Sequence, residues 1–184
     1  VNDQWRKEGV EWFKAFCIGL LLFFIIRTFV FSNYVVEGKS MMPTLQDGNK
    51  LVVNKIGYDI GDFDRFDVIV FHANKEEDYV KRVIGLPGDS IQYKNDILYI
   101  NGKPYKEPYL DKYKSEIIDG KLTGDFTLKE ITNKDKVPPG KIFVLGDNRR
   151  DSSDSRYFGF VDESQVVGKV DLRYWPLKKW DINF

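Results

Sequence analysis

Apolar and polar positions divide this chain into two unlike parts. Residues 1–14 are polar and mixed in charge, with Arg6, Lys7 and Lys14 set against Asp3, Glu8 and Glu11. Ala15 to Ile26 then runs without a charge, Arg27 and Thr28 interrupt it, and Phe29-Val30-Phe31 resume it. Its apolar residues fall on all helical faces rather than in one stripe, which argues against a buried core helix. The uninterrupted run is short beside the ~20 residues that cross a bilayer. From Trp12 to Phe31 the length suffices if Lys14 and Arg27 reach the two interfaces. The bulky Thr28–Tyr34 stretch is a poor small-x-small cleavage site, so an uncleaved single-pass anchor is expected.

After the anchor the pattern shortens. Leu51-Val52-Val53, Phe66 to Phe71, Tyr79 to Ile84 and Lys141 to Leu145 are short apolar or β-branched runs bounded by Gly, Asp and Asn, and so predict strands. The run ending at Phe71 is nearly continuous and should be buried on both faces. Ile91-Gln92-Tyr93 and Ile97 to Ile100 flank Lys94-Asn95-Asp96, a hairpin signal. Val166 to Val170 and Leu172 to Trp175 predict two final strands. No long helix is expected outside the anchor. The fold class is mainly β. Residues 1–33 are expected to form a polar tip and membrane anchor, 34–90 with 139–184 the main antiparallel β domain, and 91–138 a small β subdomain or excursion.

Composition narrows the chemistry. Lys plus Arg and Asp plus Glu are both 28, so no basic excess points to nucleic acid. Cys17 and His72 are the only residues of their types, which leaves a zinc site short of ligands and rules out an intrachain disulfide. No metal or organic cofactor is expected.

Three segments carry candidate chemistry. Ser40 lies between the permissive Gly38 and a Met41-Met42-Pro43 turn. Period two puts Tyr79, Lys81 and Val83 on one strand face and Val80, Arg82 and Ile84 on the other, so one cation must face whatever covers that strand. A buried lysine loses its charge readily and can then take a proton from a hydroxyl. Gly146 to Arg156 packs acids, hydroxyls and arginines directly after a strand. Taken singly, these read equally as a surface turn, an exposed edge lysine and a self-bonded polar loop. A Ser-His-Asp arrangement would need His72 with Asp67 or Asp147, but no Gly-x-Ser-x-Gly elbow surrounds Ser40, and His72 reads as structural.

Together the anchor, Ser40-Met41-Met42-Pro43-Thr44-Leu45, Tyr79-Val80-Lys81-Arg82-Val83-Ile84-Gly85-Leu86-Pro87-Gly88-Asp89, and Gly146-Asp147-Asn148 with Ser152-x-Asp154-Ser155-Arg156 resemble the bacterial type I signal peptidases, in their short Gram-positive form. These are membrane-anchored Ser-Lys endopeptidases that remove signal peptides from exported preproteins. The resemblance implies Ser40 as nucleophile, Lys81 as general base and Ser152 as the residue orienting Lys81. It implies ion pairs among Arg82, Asp147, Asp154 and Arg156. It implies shallow pockets lined by Tyr34, Val36, Met41, Leu45, Tyr79 and Val80, suited to small-x-small sites. The partners implied are preproteins and the lipid bilayer, with the catalytic domain on the extracytoplasmic side of the cell membrane. Gly38 stands where the Gram-negative pattern has a serine that helps bind the oxyanion, and Glu37 where it has a proline. The oxyanion would then rest on the Ser40 N–H and a Gly38 backbone group or a water. Two other readings stay open: a self-cleaving repressor-type Ser-Lys peptidase, and a non-catalytic membrane-tethered domain that binds extended peptides.

Overall fold

The computed structural model describes residues 2–55 and 64–182. It opens with one helix, α1 (Asn2–Phe29), of 28 residues. At ~1.5 Å per residue α1 is long enough for a bilayer, but its charge-free part covers only about 18 Å. No helix among the described residues is long and apolar enough to cross a membrane. Every side chain from Glu8 to Phe24 is exposed, including Trp12, Phe13, Phe16, Leu21, Leu22 and Phe23. The apolar side chains of α1 from Val10 to Phe24 are therefore not covered by the body of the protein.

The body is built on two antiparallel sheets. The strands are β1 (Phe31–Val35), β2 (Lys50–Asn54), β3 (Val68–His72), β4 (Asp78–Gly85), β5 (Ile91–Lys94), β6 (Ile97–Ile100), β7 (Lys103–Tyr105), β8 (Phe126–Thr127), β9 (Lys141–Leu145), β10 (Val161–Asp162) and β11 (Val166–Trp175). The larger sheet runs β1-β2-β11-β3-β4-β9-β10, and the smaller runs β7-β6-β5-β8. Among the described residues three short α-helices follow, α2 (Asp111–Glu116), α3 (Leu128–Thr132) and α4 (Ser155–Phe158), beside short 3-10 turns.

The expected strands form where the pattern placed them. Val68 to Phe71 is buried at every position because β3 lies between β11 and β4 with both faces covered. The β5–β6 hairpin turns on Asn95 and Asp96, both at positive φ, as a two-residue primed turn requires. Two expectations need correction. The final pair of strands is one strand, β11, with irregularities after Val166 and Val170 that let it follow β3 and then β2. The apolar run ends sooner than the sequence suggests, because Phe31 already pairs with Asn54 as the start of β1.

Among the described residues three clusters make the core. Val36, Met41, Leu45, Leu51, Val53, Val68, Val70 and Val170 fill one face of the large sheet. Ile69, Phe71, Val83, Ile142, Val144 and Val161 fill the other. A third joins the two sheets, where Phe143 of β9 meets Ile91, Tyr93, Leu98 and Ile100. Phe143 is fully buried and packs near Phe126 and Phe160, with ring centroids 6.3 and 6.2 Å away. Phe143→Ala should cost about 3–5 kcal/mol of stability, measured as the urea midpoint of the full chain in detergent. A loss below about 1 kcal/mol would mean that this cluster does not hold the sheets together.

Candidate active site

Ser40 sits in a tight turn between β1 and β2. Met42 N–H donates to Lys39 O at 3.1 Å and Leu45 N–H to Met41 O at 2.9 Å, which winds the segment into one helical turn. Met41 and Leu45 are buried and anchor it to the sheet from below. Gly38, at φ +86°, takes the sharp entry into the turn, and its N–H donates to Asp47 Oδ1 at 2.8 Å. That bond occupies the Gly38 N–H, so it does not double as a free oxyanion donor.

Lys81, on β4, pairs with Ile69 of β3 and is only 4% exposed. The alternative of an exposed edge lysine is therefore excluded. Arg82 on the opposite face is 1% exposed, so both faces of β4 bury a cation. Lys81 Nζ lies 2.8 Å from Ser40 Oγ. Burial lowers the Lys81 pKa to about 8, against the opposing pull of Asp154 and Asp147. The amine also stands 5.1 Å from the centre of the Tyr79 ring. A deprotonated amine at this distance can accept the Ser40 proton.

The two carboxylates near Lys81 are each held by an arginine. Arg82 grips Asp147 through Nε at 2.9 Å and Nη2 at 2.7 Å, with both side chains fully buried. Arg156 grips Asp154 in the same two-pronged way, at 2.8 Å for each contact. Asp154 also accepts the Gly146 N–H at 3.0 Å and caps α4 through the Arg156 N–H at 3.2 Å. The four charged residues singled out in the sequence thus form two pairs, Arg82 with Asp147 and Arg156 with Asp154.

Several residues that sequence reasoning gave no role lock the polar loop to the Ser40 turn. Asn148 N–H donates to Ser40 O at 2.9 Å, and its side-chain amide donates to Lys39 O at 3.1 Å. Thr44 Oγ1 donates to Asp147 Oδ2 at 2.5 Å. Arg149 donates to Gly146 O at 3.1 Å and to Glu107 Oε1 at 2.6 Å, tying the loop to the segment after β7. Thr44 belongs to the Ser40–Leu45 motif and Asn148 to Gly146-Asp147-Asn148, but nothing in the sequence pairs Arg149 with Glu107, 42 positions away.

A cavity of about 260 Å³ opens beside Ser40. Tyr34, Val36, Met41, Tyr79 and Val80 line it with Ser40, Lys81, Asp78 and Ser153. Leu45 does not; it is fully buried beneath the floor, in the cluster that holds Met41 and Val36. Above the cavity β4 has a free edge. Its pairing with β9 begins at Arg82, so Asp78 to Lys81 carries no neighbouring strand on that side among the described residues. His72 is exposed, and its Nδ1 lies 2.6 Å from Asp78 Oδ1 rather than near Asp67 or Asp147. Asp78 also accepts the Tyr34 hydroxyl at 2.9 Å.

Ser152 is close to the centre but does not bond Lys81. Its buried hydroxyl has no hydrogen-bond partner among the described residues and occupies the space where Gly146 lacks a side chain. A Cβ on Gly146 would collide with both Ser152 Oγ and the Ser40 carbonyl oxygen. Gly146→Ala should therefore push Ser40 out of line with Lys81 and lower kcat/KM for peptide cleavage by about 10²-fold or more in a folded protein. Near-wild-type cleavage would show that this close approach does not position Ser40.

Residues 9–175 match the family described as signal peptidase, peptidase S26. The chain is 68% identical to a signal peptidase I of Bacillus caldolyticus over 186 residues, covering 100% of both chains. It is 46% identical to a signal peptidase IB of Staphylococcus aureus over 183 residues, covering 97% of this chain and 96% of that one. The crystal structure of a signal peptidase I from Enterococcus faecalis superposes with a TM-score of 0.57 at 45% identity, covering 59% of this chain and 97% of that one. A mainly antiparallel β body, a serine and a lysine in contact within it, and family and sequence matches along nearly the full length lead to one conclusion: the chain belongs to the signal peptidase family, peptidase S26.

Proposed function

We propose that this protein is a membrane-anchored serine endopeptidase that removes signal peptides from exported preproteins, with Ser40 as nucleophile and neutral Lys81 as its general base. The observation that carries the assignment is the 2.8 Å contact between Lys81 Nζ and Ser40 Oγ, made by an amine that burial has moved towards neutrality. Ser40 Oγ attacks the scissile carbonyl carbon while Lys81 takes its proton. Lys81 returns that proton to the leaving amine as the peptide C–N bond breaks, which leaves an ester on Ser40. Lys81 then deprotonates a water that attacks the ester, and Ser40 recovers its proton. The Ser40 N–H is the proposed donor to the oxyanion, since the Gly38 N–H is engaged by Asp47. Ser152, whose buried hydroxyl beside Gly146 has no hydrogen-bond partner among the described residues, would steady the Lys81 amine as it changes charge.

Substrate recognition follows from the free edge. An extended peptide adds to β4 at Asp78 to Val80, opposite the edge strand β1, through main-chain hydrogen bonds. The 260 Å³ cavity between these strands, walled by Val36, Met41, Tyr34 and Val80, fits small side chains near the cut. Attachment to the bilayer falls to α1, whose apolar side chains from Trp12 to Phe24 lack a protein partner. Lys14 and Arg27 would extend to the interfaces as a single pass, placing the β body on the extracytoplasmic side where precursors emerge.

Ser40→Ala and Lys81→Ala should each lower cleavage of a signal-peptide substrate by more than about 10³-fold while the protein stays folded. Lys81→Arg should fail equally, because a guanidinium does not deprotonate in this range. Substantial cleavage by any of the three contradicts the pair. Protonated Lys81 cannot act as base, so kcat/KM should fall below a midpoint near pH 8, about tenfold per unit in the limiting slope. A flat profile between pH 6 and 9 would remove Lys81 as the base.

A further inference from the structure

The cavity beside Ser40 shares two walls with a second one. The second cavity, about 410 Å³, is lined by Phe71, Ala73, Phe158, Phe160, Tyr79 and Ser153 among others, and the last two also line the first cavity. Its rings form a cluster. Phe71 lies 6.2 Å from both Tyr79 and Phe158, and Tyr79 lies 6.5 Å from Phe158. Phe158 is 42% exposed, so this wall is open to an incoming side chain. The reaction as drawn uses only the first cavity.

The register of β4 relates the two cavities. Tyr79 lies opposite Phe71, and Val80 lies opposite Val70. Directly opposed residues share a face and successive residues alternate. Tyr79 therefore belongs with the aromatic cluster, and Val80 with Val36 and Met41 on the other side. A substrate strand laid along the free edge alternates in the same way. Its attacked carbonyl lies at Ser40, and the residues before it run towards Asp78 at about 3.3 Å each. When the two small residues turn towards Val36, Met41 and Val80, the residue between them turns towards Tyr79.

We propose that the second cavity is a specificity subsite for the residue between the two small ones, and that it accepts a large apolar or aromatic side chain. The inference rests on the endopeptidase reading above and names what the unspecified middle position of its substrates prefers. Tyr79 and Ser153 form the ridge that the peptide crosses, and Phe158 forms the outer wall.

The test uses the full chain in detergent and three peptides that share one cleavage site. They carry Ala-Gly-Ala, Ala-Phe-Ala, or Ala-Gly-Ala followed by Phe directly after the cut. Wild type should cleave the Ala-Phe-Ala peptide roughly tenfold better in kcat/KM than the Ala-Gly-Ala peptide. Phe158→Ala should bring that ratio close to one. Ala73→Trp, which fills the cavity, should do the same and decides the matter where Phe158→Ala does not fold. A wild-type ratio near one overturns the proposal, as does a ratio that neither variant changes. A preference for Phe after the cut that Phe158→Ala abolishes assigns the cavity to the other side of the bond and also overturns it. Cleavage of none of the peptides would overturn the endopeptidase reading itself, whereas equal cleavage of all three overturns only the subsite.

Discussion

In the reaction proposed, one constraint governs the site: Lys81, buried close to two carboxylates, must still give up its proton. Burial disfavours the ammonium, while Asp154 and Asp147 favour it. Burial prevails, leaving a pKa of about 8. The two arginine pairs explain how. Each carboxylate is gripped by two guanidinium nitrogens, so much of its field is spent locally before it reaches the amine. Loss of either arginine would leave a buried, unpaired carboxylate near Lys81, which destabilises the fold and draws the amine back towards its charged form.

The same residues couple chemistry to architecture. Arg82 neighbours Lys81 in sequence, yet period two sends it to the opposite face, where it fastens the loop after β9. That loop then returns over the Ser40 turn and holds it by the Asn148 N–H and the Thr44 hydroxyl. Arg149 extends the fastening into the small sheet through Glu107 and Tyr93. The segment between β5 and α3 is thus part of the frame that fixes the distance between Ser40 and Lys81. Among the described residues β4 has no neighbour on its β9 side from Asp78 to Lys81, and a peptide strand can fill this gap.

Much of this was legible in the sequence, and the limits are physical. The continuous apolar run of β3 announced burial on both faces, and Asn95-Asp96 announced the hairpin. Alternation along Tyr79 to Ile84 required one buried cation; it could not show that both are buried, because that depends on what covers the second face. β1 was hidden because Phe31 continues the apolar run of α1 and Ser32-Asn33 breaks any clear alternation. The helix α3 carries a capping box, Thr127 with Glu130, which was readable but attracts little notice before only five helical residues. Leu45, which the resemblance puts among the pocket walls, lies under the floor of the cavity, since motif membership does not tell a wall from the layer below it. Contacts between distant segments, such as Arg149 with Glu107 or the ridge shared by two cavities at Ser153, leave no periodic trace.

The most direct measurement is the titration of Lys81 itself. Carbon-labelled lysine, with the Lys81 signal assigned from its loss in Lys81→Arg, reports the amine by NMR in the folded, substrate-free protein. A pKa of about 8 is expected. Titration at the ordinary lysine value of 10.5 would contradict it, because the amine beside Ser40 would then remain charged at neutral pH with too little free base for the reaction proposed.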